Sequence, residues 1–354
     1  MVFKLLNQKL LDEFYSDNVI RTFKGFRLLA IDSSTLRLPD YPELYTAFGE
    51  KHSDRSSVPL ARISIMFDVL NHITLHGSIN PFRLSERDLV TDHISILSSE
   101  KTSPHSFLDL LIFDRGYPSL ALLFLLNHLK KHFVMRVSHS FLPETNSVIK
   151  SGTLDTVVTI SSFKDSNKLH RLKSYLPNLS RKATMQIRVL TFDLGNDKKE
   201  YIVTSLLDQS LYSYEDIFAI YGLRWNIEEN YKFFKCIAQV ENFSGKTKIA
   251  VEQDFFATIF ACNIASLLMM EAQDEIEEEA VEKSLKYKYK INRNILIGTL
   301  KNEILEILMG GQNLDEYCTK IKKRIKQHLV PIRPGRSYPR NFRRMKWAID
   351  RQAV

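Results

Sequence analysis

Tyr221–Lys235 reads YGLRWNIEENYKFFK and sets Tyr221, Arg224, Glu228 and Lys235 at successive spacings of 3, 4 and 7 residues. At about 100° of helix per residue, the four side chains fall within an arc of about 60°. One phenol, two cations and one carboxylate therefore share a helix face. Ser213 with Asp216 three residues on forms a capping-box pattern. Ile217, Ile220, Leu223, Ile227 and Phe234 supply an apolar stripe, and no proline follows until Pro331. Spacing alone leaves two readings open. Arg224 and Glu228 at i, i+4 stabilise a solvated helix as readily as they serve a site.

Working outward, two apolar runs upstream each end in an aspartate. Phe26 to Leu38 (FRLLAIDSSTLRL) reads as a strand ending near Asp32, although Asp-Ser-Ser also fits a turn. Leu108 to Phe113 (LDLLIF) is nearly continuous in apolar residues, as in the buried centre of a sheet. It runs into Asp114-Arg115-Gly116-Tyr117 and then a helix from Ser119 to Lys131. Between the two runs, residues 39–60 read as a loop. Ala61–Leu70 and His72–Ser78 alternate as two further strands of a meander, and Ser85 caps a helix from Leu84 to Ser98. Asp68, inside the second strand, is a decoy for a catalytic carboxylate. His132–Val137 is another strand.

From Ser138 to Asp208 the runs TVVTI, ATMQIRVLTFDL and EYIVTSLL, separated by turns such as Gly195-Asn196-Asp197, read as an all-β segment. Val251–Met270 reads as a long buried helix, and Asp274–Glu282 as an acidic solvated face. Lys283–Lys290 is rich in Lys and Tyr, 291–330 reads as helical, and 331–354 as an extended basic tail. Gly245-Lys246-Thr247 is no phosphate loop, because Val240 stands where that motif needs glycine.

The 354 residues, 44% hydrophobic and 25% charged, are ordinary for a globular protein, and the chain is long enough for two to three domains. The net charge of +8 suits a polyanionic partner without proving one. Its distribution says more: Lys320–Arg351 carries 12 Lys and Arg against one Asp, a local +11. Three scattered cysteines argue against a disulfide framework or a zinc site and for a reducing, cytoplasmic setting. The N-terminus lacks a signal-peptide core, and the apolar run Phe255–Met270 is short for a membrane span and contains Asn263.

The pattern Tyr221, Arg224, Glu228, Lys235 resembles the YREK signature of DDE-type bacterial transposases of the insertion-sequence-four family, and Asp114-Arg115-Gly116-Tyr117 resembles that family's second-Asp motif. The resemblance covers about residues 26–262. It implies an α/β fold: an RNase H-like mixed sheet flanked by helices, with an inserted all-β subdomain and a helical C-terminal region. The implied layout is a catalytic core over 1–137 and 209–270, the insertion over 138–208, and a C-terminal region with basic tail over 271–354. Asp32, Asp114 and Glu228 become the catalytic carboxylates and the ligands of two Mg²⁺ or Mn²⁺ ions, while Tyr221, Arg224, Lys235 and Arg115 bind double-stranded DNA. The implied activity is cleavage at transposon ends and strand transfer by a homodimer, through a hairpin intermediate. Family members often stack a flipped base on a Trp in the insertion. Here the two tryptophans are Trp225 and Trp347, which leaves Phe141, Phe163, Tyr175 or Tyr201 for that role. Asp32 stands close to the N-terminus, whereas relatives carry a DNA-binding domain before it. The alternative is an N-terminally shortened, non-catalytic DNA-binding or inhibitory protein.

Overall fold

The computed structural model describes residues 2–17, 19–53, 56–99, 107–161, 183–196, 198–282, 287–309 and 314–332. Phe163, Tyr175 and the tail from 333 onward lie outside them. The chain divides into two compact units, Met1–Leu267 and Leu268–Val354.

The first unit opens with helix α1 (Val2–Asp17) and strand β1 (Phe26–Arg37). The stretch read as a loop contains helix α2 (Pro42–Phe48) and strand β2 (Glu50–Ser53). Pro42 at the first turn presets the helical φ, and Gly49, at φ 86, ends the helix. Next come β3 (Ser56–Asp68), β4 (Ile73–Pro81), α3 (Glu86–Ser99), β5 (Leu108–Phe113), α4 (Leu120–His128) and β6 (His132–Val137). Ser119 caps α4 by accepting from Leu122 N–H.

β1 pairs antiparallel with β3 and parallel with β5, β3 pairs antiparallel with β4, and β5 pairs parallel with β6. The order β4-β3-β1-β5-β6, an antiparallel meander followed by two parallel strands, is the RNase H-like arrangement. Registered pairs share a face and alternate along the strand. One face thus carries Ile31, Ser33, Ser64, Met66 and His76, and the other carries Asp32, Ile65 and Gly77. Helix α3 covers the first face. On the second, Gly77 lies so close to Phe255 and Ile259 that a Cβ would sit 2.4 Å from Ile259 Cδ1.

Beyond β6 the segment expected to be all-β contains helix α5 (Pro143–Ser151), again with proline in its first turn and a left-handed glycine, Gly152, at its end. Strands β7 (Asp155–Ser161), β8 (Thr184–Asp193) and β9 (Lys199–Thr204) follow, and β9 pairs with β6. The insertion therefore extends the main sheet, which holds nine strands among the described residues. Arg188 on β8, fully buried, grips Asp155 through Nε and Nη2 at 2.8 and 2.6 Å and donates to the Tyr212 carbonyl at 2.6 Å. This ties the added strands to the chain just before the cap of the next helix.

Asp68, the decoy, is fully buried and structural. It accepts from the Tyr15 hydroxyl at 2.9 Å, from Asn71 Nδ2 at 2.8 Å and from the Leu70 and Asn71 amides.

Helix α6 (Tyr214–Gly222) and helix α7 (Trp225–Lys232) are followed by a π-turn, Phe233–Ile237. Helix α8 (Lys248–Glu282) is long and apolar enough over Lys248–Glu279 to cross a membrane by length and composition. Val251, Phe255, Ile259, Cys262 and Ala265 are nevertheless buried in the protein. Asn263 is answered there: its Oδ1 accepts from Thr74 N–H at 2.8 Å and its Nδ2 donates to the Thr74 carbonyl at 2.9 Å.

In the second unit, strands β10 (Lys288–Lys290) and β11 (Val330–Ile332) pair, and helices α9 (Arg293–Leu308) and α10 (Leu314–Lys326) lie between them in sequence. The acidic run is not merely solvated. Glu271, Glu275 and Glu279, one turn apart on α8, pair with Lys322 and Lys326 of α10.

Removing one partner of a buried ion pair strands the other charge and costs about 3–5 kcal/mol. Asp155→Ala is accordingly expected to lower unfolding free energy by about 3 kcal/mol, measured by urea denaturation, with most of the loss recovered in Arg188→Met/Asp155→Leu. A double variant no better than the single would assign the loss to the backbone bonds of Arg188 instead.

Candidate active site

Pairing between β1 and β5 runs from Phe26–Leu108 to Ile31–Phe113 and stops. The next residue on each strand is an aspartate, Asp32 and Asp114. Neighbouring strands run about 4.8 Å apart, so the two carboxylates are delivered side by side. Asp32 was expected near its strand end. Instead β1 continues to Arg37 on its β3 side, and only its pairing with β5 ends there.

The helix that brings the other candidates is capped as its sequence predicts. Ser213 Oγ accepts from Asp216 N–H at 3.1 Å and Asp216 accepts from Ser213 N–H at 2.9 Å, with Lys24 pairing the same carboxylate. It is not one continuous α-helix. At Leu223–Ile227 the amides of Leu223, Arg224, Asn226 and Ile227 reach carbonyls three residues back, which tightens the chain between α6 and α7. The uniform 100° step fails here, yet Tyr221, Arg224 and Glu228 still meet. The Tyr221 hydroxyl donates to Asp114 Oδ1 at 3.2 Å, the Arg224 guanidinium lies 5.8 Å from the Tyr221 ring, and Arg224 Nη2 donates to Glu228 Oε1 at 2.8 Å. One turn after Glu228, the Tyr231 hydroxyl donates to the Asp32 carbonyl at 2.6 Å and anchors α7 against β1. Lys235, in the π-turn, donates to Ser34 Oγ at 2.8 Å and the Thr35 carbonyl at 2.7 Å, on the strand that carries Asp32. Arg115 is exposed beside Asp114.

Electrostatics explain the arrangement. Burial pushes the Asp32 carboxyl up to about 6, Glu86 and Asp114 push the same way, and Ser33 N–H and Arg224 oppose them. Burial also works against the Arg224 charge, but Tyr221, Asp114 and Glu228 outweigh it. Arg224 Nε is buried without an acceptor. Glu86 was missed from the sequence. It sits at the start of α3, pairs with Arg62 Nη1 at 3.2 Å, and its Oε2 lies 3.1 Å from where a Gly116 Cβ would stand. Tyr117 was quoted only within its motif, and its hydroxyl lies 3.0 Å from Ser33 Oγ. Nothing local in sequence marks Glu86 or Tyr231, because each reaches the site only through folding.

Asp32, Asp114, Tyr221 and Arg224 are thus brought together, and Glu228 joins them through Arg224. Among the described residues, no three His, Cys, Asp or Glu side chains form a ready-made metal cluster. The donor chemistry still fits a divalent cation: hard carboxylate oxygens, with one carboxyl, that of Asp32, raised to about 6 chiefly by its burial.

The family model described as Transposase DDE domain matches residues 24–264. The transposase InsG for insertion sequence element IS4 from Escherichia coli (strain K12) is 23% identical over 257 residues, which are 72% of this chain and 54% of that protein. The chain thus spans about half the length of this curated relative. A piggyBac transposase in a synaptic complex with hairpin DNA, solved by cryo-EM, aligns with 84% of this chain and 57% of its own, at 12% identity and a TM-score of 0.46.

Asp32 ionises near pH 6 in the folded chain against 3.8 for an unperturbed Asp. Its favourable contribution is therefore present below about pH 4 and is lost as pH rises through about 6. In metal-free protein, Asp32→Asn is expected to match wild type near pH 4 and to exceed its stability near pH 8 by up to about 2–3 kcal/mol. Denaturation in a chelator at both pH values checks this, and equal stabilities near pH 8 would contradict it.

Proposed function

The chain belongs to the DDE transposase family, and from that premise we propose that it cleaves DNA at the ends of a mobile element and joins the freed strand to a target. It does so in the bacterial cytoplasm, as a homodimer on DNA. The observation that carries the reading is the pair of aspartates at the matched point where β1–β5 pairing stops, with Tyr221 and Arg224 packed over them.

Asp32, Asp114 and Glu228 are the residues that would hold two Mg²⁺ or Mn²⁺ ions. When bound, such ions activate a water or 3′-hydroxyl and stabilise the leaving oxygen of a phosphodiester. The protein's own groups orient the reaction. Tyr221 fixes the Asp114 carboxylate, and Tyr231 fixes the backbone at Asp32. Arg224, held beside Asp114 by its pair with Glu228, brings positive charge to a phosphate oxygen. Lys235 and Arg115 supply further phosphate contacts, which place DNA without reading its sequence. Helices α3 and α7 cover opposite sides of β1 and limit water around Asp32.

The test is nicking of a labelled duplex carrying the terminal sequences that flank the chain's own gene, with and without Mg²⁺. Wild type is expected to nick it only with the metal. Glu228→Gln should keep DNA affinity and lose cleavage, while Arg224→Ala and Lys235→Ala should each flatten the salt dependence of binding by about one phosphate. DNA binding without nicking under any divalent cation would favour a non-catalytic, transposase-derived DNA-binding protein. Unchanged salt slopes in both basic variants would return these residues to a purely structural role.

A further inference from the structure

Behind β1, on the face opposite the Asp32 carboxylate, a line of buried polar groups ends at that residue's backbone. His76 Nδ1 on β4 lies 2.9 Å from His93 Nδ1 on α3, His93 Nε2 lies 2.9 Å from Ser64 Oγ on β3, and Ser64 Oγ lies 3.3 Å from the Asp32 carbonyl oxygen. Ser64 and His93 are fully buried. None of the three takes part in the chemistry above.

Proton accounting gives the line a direction. A carbonyl oxygen only accepts, so the Ser64 hydroxyl donates to Asp32 and its oxygen accepts from His93 Nε2–H. A neutral imidazole protonated at Nε2 has a bare Nδ1, so His76 must donate its Nδ1–H there. The opposite direction would leave the Ser64–Asp32 bond unmade. Burial keeps both rings neutral: His76 is pushed down to about 4, with Lys4 adding to the effect, and His93 is also held down. From the other side, Tyr231 donates to the same carbonyl. The peptide that carries Asp32 is therefore gripped through both faces of the sheet, at the residue where β5 ceases to support it.

We propose that His93 and His76 are positioning residues of the Asp32 site, a two-imidazole chain that fixes the Asp32 backbone through Ser64 and so sets the affinity of its carboxylate for a divalent cation. The proposal rests on Asp32 being a metal ligand. Loss of an outer partner of a metal ligand costs about 10–100-fold in affinity.

Mn²⁺ binding to the full chain, followed by calorimetry, tests it. His93→Leu and Ser64→Ala are expected to weaken Mn²⁺ binding about tenfold or more. His93→Gln, whose amide can still donate to Ser64, should restore most of it. Nicking by Ser64→Ala should return towards wild type at saturating Mn²⁺, as a KM-like effect on the metal. If His93→Leu fails to fold, Ser64→Ala carries the test, since it removes one oxygen from a strand. Wild-type Mn²⁺ affinity in Ser64→Ala and in folded His93→Leu, with only a lower melting temperature, would overturn the proposal and leave the imidazoles as packing. If Asp32→Asn itself binds Mn²⁺ like wild type, the metal assignment falls instead, which separates the two failures.

Discussion

Two carboxylates held side by side by neighbouring parallel strands repel each other, by about 3 kcal/mol at 5 Å and an effective dielectric near 20. Much of what surrounds them answers that repulsion. Arg224 supplies positive charge, the Tyr221 phenol donates to Asp114, and Ser33 N–H holds Asp32. Burial and Glu86 act in the other direction and raise the Asp32 carboxyl to about 6. The site is thus a concentration of negative potential set in apolar surroundings, with its compensation made by donors that are themselves part of the fold.

The sheet makes this possible by dividing its labours between ends and faces. At the end of β1 and β5 away from Asp32, Arg27 pairs with Asp109 at 2.9 Å and Lys131 with the same carboxylate at 3.1 Å, a closed and buried network. At the end bearing Asp32 and Asp114 the charges converge on the site. Above and below, α7 and α3 reach the same strand from opposite faces. The added strands β7–β9 lengthen the sheet beyond β6 and lead, through Arg188 and Tyr212, into the capped start of α6.

What could be read in the sequence was whatever is local. LDLLIF followed by Asp-Arg-Gly-Tyr announces its strand and its turn within ten residues, and Ser213 with Asp216 announces its cap. The spacing from Tyr221 to Glu228 picked out residues that meet in the fold although the helix between them is not regular, because two tight turns still bring them to one side. Asp68 looked as good as Asp32 by hydropathy. The resemblance chose Asp32, and the fold gives a physical reason to set Asp68 aside, since Asn71 and Tyr15 close around it. Glu86 and His93 carry no local mark at all. Their roles depend on α3 settling on β3, a contact between segments that propensity and periodicity do not address. Pro42, inside the stretch read as a loop, and Pro143, inside the stretch read as all-β, each start a helix.

The π-turn at Phe233–Ile237 changes how the distance from Glu228 to Lys235 should be understood. A wider turn, closed by the Ala238 N–H reaching the Phe233 carbonyl, ends the helix here and holds Lys235 within it. The seven-residue interval thus runs from regular helix into the first half of the wider turn, where the Lys235 ammonium reaches Ser34. In a chain one residue shorter between Glu228 and Lys235, the lysine would be swung by about 100° away from β1. The interval is in this sense a length code, set by helical periodicity and fixed in place where the helix ends.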